Sequence, residues 1–328
     1  MVSAESRFVG EGRYPRTIDA ALIKRLSILQ PGRGVFAIAF DWAVIAAAIV
    51  ASEQAGRLWV YLLAVAIIAG RMHALAVLMH EGAHFRLFNS RRMNDWISDI
   101  FVAWPIFATT GGYRRNHTLH HRHANTADDP DWTSKLGAAS FTFPQKAVSA
   151  GLHLLGYLTT IASVRDAVRL QPLMAVAPVT RARRLARWGY YAGLAVLVTA
   201  LGVWPKVILY WIVPYFTLFF LFQHVRSVAE HFGSMTYSSE LGSTRSVRPY
   251  LWERWFFAPH HINRHLEHHL YPGIPFYNLP ALHDALMRDP AFASSAHVTR
   301  GYTTGLVREC LAKASDGTIH ANWQEQTK

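Results

Sequence analysis

The chain has 328 residues, 51% of them hydrophobic, with a mean hydropathy of +0.11 and a formal net charge of +12. So apolar a balance argues against an ordinary soluble enzyme and makes lipid part of the solvent; the excess of cations then points to an anionic membrane surface rather than to nucleic acid. A single cysteine, Cys310, excludes an internal disulfide and any Cys-rich metal site, which leaves histidine and carboxylate as metal ligands.

The first 30 residues are polar, carry Glu5, Arg7, Glu11, Arg13, Arg16, Asp19, Lys24 and Arg25, and contain no apolar core. No cleavable signal peptide is read there, and the amino terminus is expected on the cytoplasmic side. Four segments then have the length and apolarity of membrane-crossing helices: residues 35–52, 58–79, 188–204 and 206–223. Only SEQAGR parts the first two and only a turn from Gly202 to Lys206 parts the last two, so they read as two helical hairpins. Arg86, Arg91, Arg92, Arg114, Arg115, Arg122, Arg181, Arg183, Arg184 and Arg187 all fall between the hairpins, and the positive-inside rule places that stretch, with the carboxy-terminal tail, in the cytoplasm.

Two further apolar stretches, 96–113 and 147–164, are expected to be interfacial or re-entrant, the first because Pro105 interrupts it. Asp41, inside the first apolar run, is costly in lipid and invites either a functional role or a hydrogen-bonded place within the bundle, while Arg71 faces the cap or snorkels. Trp211, Tyr215, Phe216, Phe219 and Phe220 form a stripe whose default is bilayer-facing packing, with a substrate tunnel as the alternative. Beyond Met287 the chain is polar and irregular. With no repeat, low-complexity tract or linker, the expectation is one all-α integral-membrane domain over 1–328. Its hairpins span 35–79 and 188–223, and its His-rich cytosolic cap spans 80–187 and 224–328.

Eight of the 18 histidines cluster in three places. HEGAH holds His80 and His84; NHTLHHRH holds His117, His120 and His121; RHLEHHLYP holds His265, His268 and His269. Residues three and four apart share a helix face, so each cluster can aim its imidazoles at one point. At about 1.5 Å per residue, a helix begun near Leu58 reaches His80 after about 33 Å, just past a hydrocarbon core of about 30 Å. The fourth apolar helix reaches His231 after about 36 Å, whereas His224 falls at about 26 Å, within the core. His231 is therefore preferred over His224 as a ninth participant.

Imidazole suits iron, zinc and copper alike, but eight or nine histidines are too many for one ion, and two metals fit better. A dinuclear, all-nitrogen site at a membrane interface implies oxygen chemistry on an unactivated C–H bond. Glu81, Glu230 and Glu267 neighbour ligands and are placed to accept a second imidazole N–H, or are merely solvated or ion-paired. The run from Asp128 to Asp131 either orients the second cluster, pairs with Arg114, Arg115 or Arg122, or ends a helix around Pro130. His73, His123, His260 and His261 read as outer or exposed residues.

HEGAH, HTLHH and HLEHH, in that order around two hydrophobic hairpins, resemble the three histidine boxes of the integral-membrane fatty acid desaturase family, and YRRNHTLHHRHANTADDPD and EHHLYPGIPFYNLP resemble their usual contexts. The resemblance runs from about Val35 to Leu282. It implies a non-haem centre of two iron ions in a cytosolic cap over four transmembrane helices, an apolar tunnel for a lipid or acyl substrate, dioxygen as co-substrate and a separate electron donor. By position it assigns as ligands His80, His84, His117, His120, His121, His265, His268 and His269, with His231 similar to an additional ligand at the end of the fourth helix. The third box opens with His265 where front-end desaturases carry Gln, and Ser227 stands where the stearoyl-CoA type carries Asn. No HPGG haem signature is present, so a ferredoxin or cytochrome b5 type donor is expected as a partner and nucleic acid is not. The expected reaction is desaturation of a lipid acyl chain. Hydroxylation, ketolation or oxidative decarboxylation of a lipid, carotenoid or alkyl compound uses the same boxes. A membrane metal transporter or haem-binding carrier would instead place its histidines at matching depths inside the spanning helices.

Overall fold

A computed structural model describes residues 12–175 and 180–311. Glu5, Arg7 and Glu11, used above for the amino-terminal reading, lie outside them.

Apolar runs in lipid must satisfy their backbone internally, and here they do so as helices. After α1 (Ala20–Leu26), α2 (Pro31–Ala55) starts on a proline whose fixed φ suits a first turn, and it stops at Gly56, which is left-handed at φ 55°. α3 (Leu58–Ala83) returns beside it. The 96–113 stretch does not form one helix: α4 (Arg91–Ser98) passes through a π turn at Asp99–Ala103 into a 3₁₀ turn at Trp104–Ile106 that contains Pro105, and α5 (Thr110–His123) begins afresh from an N-cap, Thr109. α6 (Pro130–Thr133) is a single turn, and α7 (Ala147–Leu158) and α8 (Ile161–Ala175) meet at 81°, in keeping with a re-entrant or broken span. α9 (Arg181–Leu201) ends at left-handed Gly202, and α10 (Trp204–His231) runs on through π turns at Ile208–Ile212 and Tyr215–Phe219. The remainder holds α11 (Glu253–Phe256), α12 (His265–Leu270), α13 (Leu279–Leu286), α14 (Pro290–Ser295) and α15 (Val307–Leu311).

Two expectations change. Among the described residues three helices, α2, α3 and α10, are long and apolar enough to cross a membrane, or four if the bent α7–α8 pair counts as one span. α9, which covers the third expected segment, is not among them. Arg181, Arg183, Arg184 and Arg187 occupy its first two turns, and the apolar remainder from Trp188 to Leu201 reaches only about 21 Å, short of a hydrocarbon core. The tail beyond Met287 is also ordered: β2 (Val298–Arg300) pairs in parallel with β1 (Ser246–Arg248), so the fold is mostly helical with one short two-stranded sheet. Three-residue strands some fifty residues apart leave no periodic signal of their own.

The centre of the molecule is α3, in which every residue from Ile68 to Ala83 is buried. Neighbours reach it closely at two glycines. A Cβ at Gly70 would stand 3.0 Å from the Trp255 carbonyl of α11, and one at Gly82 would collide with Ser98 at the end of α4. Beside Gly70, Asp41 resolves its expected alternatives as a buried ion pair: its Oδ1 accepts from Arg71 Nη1 at 3.0 Å and its Oδ2 pairs with His260 Nε2 at 2.7 Å. Arg71 also donates to the Trp255 carbonyl at 2.5 Å and covers that ring at 5.0 Å. Asp41 therefore ties α2 and α3 to the segment that precedes α12. Removing one partner strands a buried charge, so Asp41→Ala is expected to cost about 3–5 kcal/mol of stability, read as a lowered melting temperature in detergent.

Candidate metal centre

The nine histidines singled out by spacing converge on two adjacent nests. His80 and His84 from the end of α3, His117 and His121 from α5, and His268 from α12 place their ligand nitrogens within 4.8 Å of one another. His120, His231, His265 and His269 form a second nest on the same criterion. The two abut, with the His121 and His269 rings stacked at 4.3 Å.

Each triple of histidines divides between the nests instead of aiming at one point. At about 100° per residue, positions i and i+4 differ by about 40° and position i+3 falls about 60° to the other side. In the second box His117 and His121 accordingly share the first nest and His120 turns to the second. In the third box His265 and His269 share the second nest and His268 turns to the first. Two helices thus serve two sites in opposite sense.

The nitrogens themselves test for a metal. In the first nest His121 Nε2 lies 3.0 Å from both His117 Nε2 and His268 Nε2, and the buried Nε2 atoms of His80 and His84 have no hydrogen-bond partner. In the second, Nε2 atoms stand at 3.0 Å (His120–His231), 2.9 Å (His231–His265), 3.0 Å (His265–His269) and 3.3 Å (His120–His269). His120 Nδ1 faces the Asp129 carboxylate at 2.8 Å, which assigns its proton there and leaves Nε2 as a lone pair. Such lone pairs repel unless a cation sits among them. Nitrogens 3.0 Å apart also match adjacent ligands about 2.1 Å from a first-row metal ion. The donor set fits.

Electrostatics keeps the imidazoles neutral, as ligation requires. Burial, reinforced by neighbouring rings, holds His117, His121, His265, His268 and His269 well below the usual imidazole range, and burial with Arg86 and Arg114 takes His84 to about 3. His120 goes the other way: burial opposes its charge, but Asp129 outweighs it.

Outer contacts separate the carboxylates. Asp129, fully buried, orients the second cluster, but where its run was also expected to end a helix it starts one: Oδ2 accepts from His120 Nδ1 and the Asn125 amide, while Oδ1 caps the start of α6 through the amides of Asp131 and Trp132. Asp131 pairs with Lys135, and Arg114 with Asp95, so neither makes the Arg contact considered for that run. Glu81 lies 3.3 Å from His80 Nδ1 and accepts from the Phe276 amide at 2.9 Å, and Glu230, held by Arg226 at 2.7 Å, stands 3.4 Å from His265 Nδ1. Glu267 turns away from the nests to Ser246 and His283. Tyr113, whose hydroxyl is 3.4 Å from His117 Nδ1, was detectable as the residue four before a ligand candidate; His283 and Arg245 had no such signal. Arg245 donates to the carbonyls of Val228, Ala229 and Phe232, closing the end of α10 that presents His231, and is itself paired with Glu309 at 2.7 Å.

The remaining histidines stay outside the nests. His224 packs between the rings of Phe141 and Tyr157, His73 meets the Phe256 carbonyl at 2.7 Å through Nδ1, His260 belongs to the Asp41 pair, His261 is exposed, and His123 ends α5. A cavity of about 720 Å³ reaches His117, His120, His231 and His265. Tyr215, Phe216, Phe219 and Phe220 line it, so this part of the aromatic stripe faces inward, whereas Trp211 stacks on Trp42 at 5.5 Å. Helical phase alone does not foresee this, because a π turn at Tyr215–Phe219 shifts the face.

Asp129→Asn is expected to lower affinity for a divalent metal about 10- to 100-fold without loss of helix, measured by metal content after dialysis against graded chelator. Burial opposes the charge of Glu309, but His297 and Arg245 prevail and hold it at about 2 against an ordinary 4.5. The stability it contributes is thus complete above pH 4.5 and disappears as pH falls toward 2; Glu309→Gln should melt lower than wild type at neutral pH, and the gap should close over that window.

Residues 57–301 match the family model described as "Fatty acid desaturase". The chain is similar to the dihydrorhizobitoxine desaturase of Bradyrhizobium elkanii, 32% identical over 299 residues that cover 83% of this chain and 81% of the relative. The match contains every histidine of the two nests, and the chain belongs to the fatty acid desaturase family.

Proposed function

We propose that the chain is an oxygen-dependent desaturase in which His80, His84, His117, His121 and His268 hold one iron ion and His120, His231, His265 and His269 hold a second. The observation that carries this is the pair of abutting all-nitrogen nests at the inner end of a cavity with aromatic walls. Membership of the family makes the chain a desaturase-type oxidoreductase; the substrate and the positions of the removed hydrogens belong to the proposal. Two irons supply dioxygen activation, with electrons from a separate ferredoxin or cytochrome b5 type donor, and the net reaction removes two vicinal hydrogens while dioxygen goes to water.

The protein's own part is positioning. Asp129, Glu81 and Glu230 fix ring orientation from behind the nests. Phe219, Phe220, Ile106 and Met79 give the cavity apolar walls that keep bulk water from the reacting carbon. The cationic stretch around the nests supports a cytoplasmic cap above the spanning helices, with the donor docking from that side.

A lipid acyl chain is the substrate class that family and walls favour. One observation favours a substrate that also carries a polar group: Gln223 Oε1, His224 Nδ1 and Ser227 Oγ line the cavity, buried and without partners, and each such atom costs about 1–3 kcal/mol until it is paired. The relative's name, a desaturase of dihydrorhizobitoxine, is compatible with that second reading. Hydroxylation and ketolation are separated by product mass.

Cells expressing wild type or His268→Ala, aerobic and supplied with a donor, are expected to differ by a product lighter by two hydrogen atoms, found in wild type alone by mass spectrometry. Iron in the purified variant should fall from about two to about one per chain. A product heavier by one oxygen atom would reassign the reaction to hydroxylation, and equal products from both strains would remove the nests from the chemistry.

A further inference from the structure

Away from the histidine nests, unpaired positive charge gathers in a second cavity of about 800 Å³ between the start of α2 and the segment running from β1 to α12. Arg33, Arg248, Arg254 and Arg264 line it, and among the described residues none of the four forms an ion pair. Nη1 of Arg264 is buried and has no hydrogen-bond partner. Arg71 and His260 also face the cavity, but Asp41 already neutralises them, and no described carboxylate lines it. Arg33 stacks over the Tyr277 ring at 5.0 Å, and Glu267 and Asp284 act on Arg264 only from beyond ion-pair distance, so a cavity of this size with four guanidiniums outside any ion pair and one stranded donor calls for an anion.

Below Arg33, α2 gives the cavity an apolar and exposed wall. Phe36 and Phe40 sit one turn apart on the spanning helix α2, exposed by 71% and 39%, with their rings stacked at 6.2 Å and Phe40 a further 6.2 Å from the Trp255 ring. Phe40 lies about 10 Å along α2 from Arg33, the depth that separates headgroup from upper acyl chain. A free phosphate would use only the basic side. An anionic glycerophospholipid uses both: guanidiniums take the phosphate oxygens and the aromatic stripe takes the chain.

We propose that this cavity is a binding site for an anionic glycerophospholipid, distinct from the substrate cavity and independent of the desaturase reading. Its occupant bridges α2 to the Arg248–Arg264 region, which leads directly into the helix bearing His265, His268 and His269.

Purified full-length protein in detergent, titrated with phosphatidylglycerol or with phosphatidylcholine of the same chains and observed by native mass spectrometry, tests this. Wild type should retain phosphatidylglycerol tighter by about tenfold or more. The preference should vanish in Arg248→Gln/Arg254→Gln and persist in Arg181→Gln/Arg184→Gln, which removes the same charge from the exposed face of α9. Equal retention of both lipids by wild type overturns the proposal however the variants fold. An equal loss in the two double variants also overturns it, because diffuse surface charge then suffices. Glycerol phosphate in about hundredfold excess should leave the lipid bound; its displacement of the lipid would make the site one for small phosphates and not for lipid.

Discussion

The structure is organised around one electrostatic problem: nine imidazoles are gathered into two abutting nests of five and four, where neighbouring Nε2 atoms stand about 3 Å apart with too few protons to bond among themselves. Left alone, these lone pairs would push four chain segments apart. Burial makes the arrangement worse for protons and better for a divalent ion, since it favours the neutral form of the rings other than His120, whose Asp129 partner holds a proton on the side away from the nest. The segments that supply the rings are accordingly fastened by contacts outside the ligand nitrogens.

The fastening is economical. Asp129 caps α6 with one oxygen and orients His120 with the other, so a turn and a ligand depend on one carboxylate. Arg245 closes the carbonyl end of α10 and thereby places His231, while Glu309, far along the chain, holds Arg245. Gly82 between His80 and His84 lets Ser98 and Thr110 approach α3, which sets α5 at the distance at which its histidines meet those of α3. The Asp41 pair performs the same service elsewhere, tying α2 and α3 to α11 and the turn at His260 that lead into α12.

Sequence alone made the nine histidines legible because three and four are helical spacings and because helix rise places His231, not His224, at the level of the others. The same reasoning misjudged how they divide. An i, i+3, i+4 triple reads as one face until two targets are present, and then the angle between i+3 and i+4 sends the rings apart. It also counted α9 as a span, since an apolar window hides a cationic first two turns that shorten the usable length. For the aromatic stripe of α10 the sequence leaves bilayer packing as the default and a tunnel as the alternative; the structure places Tyr215, Phe216, Phe219 and Phe220 on a cavity, next to a π turn that shifts the helical phase.

What the sequence by itself determined is chemistry and local geometry: the ligand type, the helices that carry it, the excess of charge at one level and the proline and glycines that end each run. These follow from covalent structure and short-range backbone preference. Which ring joins which nest, which carboxylate stands behind it and which aromatic side chains enclose a cavity were decided only by tertiary structure. Some of those contacts join residues more than a hundred positions apart, as His120 and His231 are, and even the shorter-range ones depend on interhelix distances that a one-dimensional pattern does not encode.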